Sequence, residues 1–249
     1  MSNNLELKIE CYSLQGLARS TNQDFTSIYE YPDGVLVSLV DIATAVPFED
    51  CEFVSNLNGK IVQFISQDSL NDKNVFLSQL RQIVEQLKKV YRKGCASFII
   101  VYIPYNGDQV WGLTAGDARL GLLKNQSVEW ATPVHTGANP LGEIFTEQMK
   151  SLPERNLLTR SLNMRKVFKP DVFEVDILAG MSLIIASDGF WAELPAATQS
   201  TFFRDGGQTT ADDCSAIIIS KIQHATKLLC ELNSDNCSYF DVTVRDETK

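Results

Sequence analysis

Three apolar runs in this chain end on an aspartate. VLVSLV (residues 35–40) runs into Asp41, WGLTAG (111–116) into Asp117, and SLIIAS (182–187) into Asp188. Two further acids flank strand-like segments: Asp24 opens one in NQDF, and Asp235 precedes another in DNCS. Any one of these reads as a turn-capping Asp. If several meet at one sheet edge, the chemistry is constrained. Clustered carboxylates repel one another and must protonate or bind cations. Oxygen-only ligation selects a hard divalent ion such as Mg²⁺ or Mn²⁺. Two such ions sharing a water would lower its pKa for in-line attack on phosphorus. An arginine beside them would hold phosphate bidentately, and Arg19 in ARSTNQD is the natural candidate.

The pattern between the acids predicts strands separated by helices. Residues 5–13 alternate apolar and polar, the period of a half-buried strand. Residues 24–41 predict a hairpin turning at Pro32-Asp33-Gly34. Phe53 to Ile65 and Phe76 to Tyr91 keep helical spacing, and Gly94 stands where a C-cap is expected. Strands are predicted at Ser97–Ile103, Gln109–Ala115, Leu120–Lys124, Val172–Val175 and Ser182–Ser187, and a last one at Ser238–Val244. Residues 133–156 form a polar excursion rich in Pro and Gly, of the kind that borders sites. The stretch Asp213–Leu232 reads as a helix with Ile217, Ile218, Ile222, Ala225 and Leu229 on one face. This order argues an α+β fold with largely antiparallel sheets.

Composition narrows the function. A net charge of −9 disfavours nucleic acid and anionic membranes as partners. No leader-like segment and no apolar run of about eighteen residues is present, so a soluble, cytoplasmic protein is expected. The six cysteines are scattered without a CxxC pair, and a disulfide framework or zinc site is not expected. Only His135 and His224 exist, which leaves little for a His-rich metal site or a catalytic triad. His135 is expected at the surface, His224 and Trp191 in structural roles.

The chain resembles the metal-dependent protein phosphatases of the PP2C (PPM) type. GLARSTNQDF (16–25) is similar to the family's opening motif, VSLVD (37–41) to the strand carrying its bridging aspartate, and GCAS (94–97) to a core-strand entry. TAGDARLGLL (114–123) resembles the GDSR motif, RNLLTRSL (155–162) the LTRALG segment, and LIIASDGFWAEL (183–194) the family's SDG motif. The resemblance implies an α-β-β-α sandwich, two antiparallel sheets flanked by helices, as a single domain over residues 1–249. It implies a mobile flap at about 133–156. It implies two divalent ions, Mn²⁺ or Mg²⁺, on Asp41, the Ile42 carbonyl, Asp188 and a final acid, with a third ion on Asp117. Arg19 would hold phosphate and Asp24 would orient a water. For the final acid, Asp212-Asp213-Cys214-Ser215 and Asp235-Asn236-Cys237-Ser238 both resemble the family's last motif. Asp235 is preferred because it keeps the Asn and leaves room for the expected helix.

One motif departs from the family. Its DGxGG loop reads Asp41-Ile42-Ala43-Thr44-Ala45 here. Glycine permits a positive φ that a β-branched Ile adopts only under strain. Ala43 stands where many members carry a histidine, Gln23 where many have Glu, and Asn163 where LTRALG ends in Gly. Two functions therefore stand: a phosphoserine/phosphothreonine phosphatase acting as a monomer on phosphorylated proteins, or a catalytically impaired pseudophosphatase kept as a binding or regulatory module.

Overall fold

Two strands buried on both faces set the architecture. In β3 (Gly34–Ile42) only Asp41 is not fully buried, and β4 (Cys95–Pro104) is buried except at its ends. Side chains alternate along a strand, so each strand feeds two cores. Leu36, Val40, Phe98, Ile100 and Tyr102 pack with helices. Val35, Val37, Leu39, Ile99, Val101 and Ile103 pack against a second sheet. The computed structural model describes residues 6–43, 46, 51–178, 180–221 and 225–243.

The helix-side sheet has the order β13-β2-β3-β4-β5-β9, with the short β8 (Leu162–Asn163) on β4. Here β2 is Asp24–Tyr31, β5 Gln109–Ala115, β9 Asp171–Asp176 and β13 Cys237–Asp241. It is covered by α1 (Glu52–Phe64), α2 (Gln67–Leu70) and α3 (Lys73–Lys88). α1 buries Phe53, Val54, Leu57 and Ile61, and α3 buries Phe76, Leu80, Ile83, Val84 and Leu87, the stripes seen in the sequence. The Asp72 carboxylate caps α3 by accepting from the Asn74 N–H at 2.8 Å.

The second sheet has the order β12-β1-β11-β10-β6-β7. Its strands are β1 (Glu6–Leu14), β6 (Arg119–Lys124), β7 (Ser127–Trp130), β10 (Ser182–Ala186), β11 (Cys214–Lys221) and β12 (Lys227–Leu232). Its outer face packs Ile184, Ala186 and Ala216 on Phe190, Trp191 and Phe202, around α5 (Asp188–Trp191) and α6 (Ala196–Thr201). The excursion, with its short α4 (Glu147–Lys150), adds Val134 and Phe145 to this layer. The result is the expected sandwich of two sheets between helical layers. It is antiparallel apart from two edge pairings, β1 with β12 and β2 with β13. No helix among the described residues is long and apolar enough to cross a membrane.

Three expectations are corrected. The described residues of Asp213–Leu232 form no helix. They form β11 and β12, with Ile217 and Ile219 facing the opposite sheet. A short continuous apolar run fits a two-sided strand as well as a helix, and its β-branched residues favour the strand. Gly94 does not cap α3, whose C-cap is Lys89. A Cβ at Gly94 would instead stand 2.8 Å from the Phe53 ring, so that position serves packing. His135 is buried, not on the surface. His224, Ile222 and the end of the last predicted strand lie outside the described residues.

The strand assignment is testable. In a helix Ile217 and Leu229 would share a buried face. In this fold Ile217 is fully buried and Leu229 is 37% exposed. Ile217→Ala is expected to cost about 2–5 kcal/mol in urea unfolding, and Leu229→Ala roughly 0.5 kcal/mol or less.

Candidate active site

β-Sheet register brings the acids together. Asp41 lies opposite Asp24 on β2 and opposite Ser97 on β4. The Ser97 hydroxyl accepts from the backbone N–H groups of Asp117 (2.8 Å) and Ala118 (2.6 Å), which fixes the β5–β6 turn. That turn needs its glycine: Gly116 has φ +127°, and a Cβ there would meet Ser97 Oγ at 2.4 Å. Trp191, expected to be packing, also donates its indole N–H to the Asp117 carbonyl at 2.9 Å.

Asp188 arrives from the second sheet. Ser187 donates its N–H to the Ser215 carbonyl (3.0 Å) and its hydroxyl to the Asp24 carboxylate (2.7 Å). A Cβ at Gly189 would fall 2.1 Å from the Asp213 carbonyl oxygen, so only glycine lets the Asp188 turn lie against the start of β11. There the neighbouring acids divide their work. Asp213 is buried and accepts from the Gly16 (2.9 Å) and Gln23 (2.8 Å) N–H groups, pinning the segment that carries Arg19. Asp212 accepts a two-pronged bond from Arg19, with Nε and Nη2 each at 2.5 Å.

The product is a cavity of about 470 Å³. Asp41, Asp117, Asp188, Asp212 and Glu193 line it, with Arg19 and Arg155 among them and Ile42 and Ala43 on one wall. Of the residues singled out in the sequence, Arg19, Asp41, Ile42, Asp117 and Asp188 are on the cavity. Asp24 is not: it is 1% exposed and lies behind the wall, its carboxylate accepting from the Ser187 hydroxyl. Asp235 is also off the cavity. It is exposed in the turn before the edge strand β13. The Asn of its motif, Asn236, donates to the Asn22 (3.1 Å) and Asp24 (3.0 Å) carbonyls, which explains the motif structurally. Asp212 occupies the cavity position expected of Asp235. The helical space thought to exclude it is supplied by the short α5 and α6.

Ile42 differs from expectation as well. It does not bend into a loop under strain. It is the last residue of β3, opposite Ala96, with its side chain in the helix-side core. Thr44 and Ala45 lie outside the described residues.

The excursion is tied to this site. The Gly116 N–H donates to His135 Nδ1 at 3.3 Å, so the ring proton sits on Nε2, 2.8 Å from Asp171. Burial lowers the His135 pKa, opposed by Asp171, which favours this neutral form. The Arg119 guanidinium of the GDAR motif is buried between Trp130 and Trp191, 5.0 Å from each ring, with the excursion's Phe145 at 5.8 Å. Farther along, Arg155 reaches into the cavity and places Nη1 2.9 Å from Asp188 Oδ2. Arg155, Glu193 and Ser97 lie inside segments that resemble family motifs (RNLLTRSL, LIIASDGFWAEL and GCAS), but the sequence alone gave none of them a role in the site.

The electrostatics follow from crowding. Burial pushes the Asp41 carboxyl well up, and the charges of Asp24, Asp188, Asp117 and Asp212 add to it. Asp188 is raised well up by burial and then by Asp117 and Asp212, with Arg155 opposing. Burial raises Asp117 against hydrogen bonding to Ser97 and the charge of Arg155. Asp24 is pushed up to about 7 by burial, against hydrogen bonds from Ser187 and Ser215. A carboxyl whose folded pKa lies above its unfolded value stabilises the fold at low pH and loses that contribution as pH rises. In chelator, stability is therefore expected to fall between about pH 4 and pH 7. Asp24→Asn, which stays neutral, is expected to flatten that slope in denaturant titrations across the range.

No family model matches the chain. Among curated proteins, the protein phosphatase PhpP of Streptococcus pneumoniae (strain D39) is 30% identical over 77 residues, which are 30% of this chain. The matched part spans about a third, 31%, of that relative's length. A putative 2C-type protein phosphatase of Streptococcus pyogenes serotype M6 is 24% identical over 198 residues, covering 74% of this chain and 78% of that protein. Among solved structures, the serine/threonine phosphatase of S. agalactiae superposes with a TM-score of 0.70 at 20% identity, over 87% of this chain and 100% of that one. Stp1 from Staphylococcus aureus gives 0.70 at 18% identity, over 86% and 94%. The catalytic domain of PstP in complex with two manganese ions gives 0.58 at 18% identity, over 87% and 98%. In fold, the chain is of the PP2C (PPM) phosphatase type.

Proposed function

We propose that the chain hydrolyses phosphoserine and phosphothreonine in proteins, using Mn²⁺ or Mg²⁺ held by its acid cluster. The convergence of Asp41, Asp117, Asp188 and Asp212 beside Arg19 on one cavity carries this reading. The names of PhpP and the S. pyogenes relative support a phosphoprotein substrate, the serine/threonine phosphatase names of the S. agalactiae and S. aureus structures support the residue type, and the two manganese ions in the PstP structure support the metal.

The donor chemistry fits a hard cation: the acids on the cavity are all carboxylates, and their mutual repulsion is what a divalent ion relieves. Among the described residues no three such groups are drawn into a ready-made ion cage. Arg19 holds Asp212 and Arg155 holds Asp188. Asp41, Asp188 and Asp212 would hold two ions and Asp117 a third. When bound, such an ion lowers the pKa of a water and neutralises charge on phosphoryl oxygens.

The chain's own residues supply position. Arg19 presents a planar fork that already matches a carboxylate in two-pronged geometry, and the same fork matches a phosphate. Its segment is pinned by Asp213, so the guanidinium is delivered from a fixed backbone. Ser97 and Trp191 hold the Asp117 turn, and the Ser187 hydroxyl ties the start of the Asp188 turn to Asp24 of the opposite sheet. Ala43 offers no side-chain proton donor at the cavity wall.

A second reading is a pseudophosphatase that binds without turnover. The observation that favours it is the absence of a glycine-rich turn after Asp41, where Ile42 continues the strand.

Hydrolysis of a phosphothreonine peptide separates the two. The expected outcome is turnover at millimolar Mn²⁺ that chelator abolishes. Asp188→Asn, Asp212→Asn and Arg19→Ala are each expected to lower kcat/KM by about 10²–10³, and Asp235→Asn by less than about twofold. Absence of turnover at every Mn²⁺ concentration would leave the binding module. Turnover that survives both chelator and Asp188→Asn would remove the acid cluster from the mechanism.

A further inference from the structure

Residues 151–157 of the excursion are exposed with one exception, Arg155. Pro153 opens a 3₁₀ turn at Pro153–Asn156. The turn lies beside a bridge between Thr136 and Leu158, with the Gly137 N–H donating to the Leu157 carbonyl at 2.8 Å. From this surface segment the Arg155 side chain turns inward, to 15% exposure, and ends on Asp188, which is 14% exposed. Its Nη1 to Asp188 Oδ2 distance of 2.9 Å is that of a charge-assisted hydrogen bond.

The contrast with Arg19 is informative. Arg19 binds Asp212 from a segment locked into the framework by Asp213. Arg155 binds Asp188 from a segment whose neighbours face solvent. A positive charge delivered on a surface excursion to a half-enclosed carboxylate competes with any other cation for that carboxylate. Because it is tethered, it competes at high effective concentration.

We propose that Arg155 is a tethered counter-ion: the excursion's guanidinium and a divalent cation compete for Asp188, so cation binding is coupled to release of residues 151–158. This rests on the reading of the acid cluster as a cation site. The coupling is reciprocal: whatever draws the excursion away raises the affinity for the ion, and the ion loosens the excursion.

The test is cation affinity rather than turnover. Mn²⁺ binding to the full chain is measured from the EPR signal of the free ion, for the natural protein, Arg155→Met, Arg155→Lys and Asp188→Asn. Met keeps the length of the apolar stem and removes the charge. Arg155→Met is expected to bind Mn²⁺ about tenfold more tightly or better, the worth of one charge-assisted hydrogen bond. Arg155→Lys is expected in between, and Asp188→Asn below the natural protein. Hydrogen exchange across residues 151–158 is expected to rise when Mn²⁺ is added to the natural protein. In Arg155→Met it is expected to be high already and to change little. If the natural protein binds Mn²⁺ and Arg155→Met binds it no more tightly, the tethered counter-ion is overturned and the cation site stands. If neither binds, the cation site falls, and this proposal with it.

Discussion

Repulsion among partly desolvated carboxylates at one end of the sandwich is the constraint around which the site is built. Asp24 and Asp41 lie directly opposite on neighbouring strands, where like charges destabilise a sheet. Asp117, Asp188 and Asp212 bring further charge to the same end. Nothing about folding requires this arrangement, and burial alone raises the pKa of each buried acid. The surrounding structure answers it locally. Serine hydroxyls serve Asp24, backbone N–H groups serve Asp213, and guanidinium groups serve Asp212 and Asp188. An end of a fold that gathers so much like charge is suited to bind cations.

The sheets supply the precision that such a site needs. Asp41 comes from the helix-side sheet, Asp188 and Asp212 flank strands of the other, and Asp117 sits in the β5–β6 turn that joins the two. The two sheets meet at the site through few but specific contacts. Ser187 reaches from the end of β10 to Asp24 at the start of β2. Trp191 reaches from α5 to the Asp117 carbonyl. Gly116 and Gly189 allow backbone approaches that any side chain would block. Each cavity acid is therefore fixed by the core behind it rather than by the loop it sits on.

Much of this was legible in the sequence, and the failures have physical causes. Apolar runs ended by Asp41, Asp117 and Asp188 located most of the cavity acids, because a two-sided buried strand has to end where a polar edge begins. The helical stripes of α1 and α3 were legible because each buries a single face. The run Ala216–Ile219 misled, because a strand buried on both sides has no period to distinguish it from a helix. That error carried into the site: with a helix imagined after Asp213, Asp212 lost the strand that marks it, and Asp235 took its place. Asp24 joins the acid group through its register opposite Asp41, but its depth behind the wall depends on Ser187, 163 residues away in sequence. Arg155 opens the RNLLTRSL segment but took no role from the sequence, for a different reason. An arginine in a polar excursion looks solvated until the fold shows what it reaches.

The two arginines make the site asymmetric. Arg19 and Asp212 are both fixed by the framework, through Asp213 and through Glu193, which accepts from the Ala211 N–H at 2.8 Å. Their pairing is preserved however the excursion moves. Among the described residues, Arg155 is held at its own residue by the turn that carries it and by Asp188. The excursion is held instead at a distance, by His135 against Gly116 and Asp171, and by Phe145 against Trp191 and Arg119. These attachments fix where the segment starts; the Gly137 N–H on the Leu157 carbonyl (2.8 Å), the Thr136–Leu158 bridge and the Thr159 N–H on the His135 carbonyl (2.9 Å) fix where it returns, and the turn between them meets the site through the Arg155–Asp188 pair. Charge balance at Asp188 is then the one element of the site that the fold does not decide alone. A fixed arginine suits recognition of a phosphate in a constant position, whereas an arginine on an excursion suits control of which cation the acids hold.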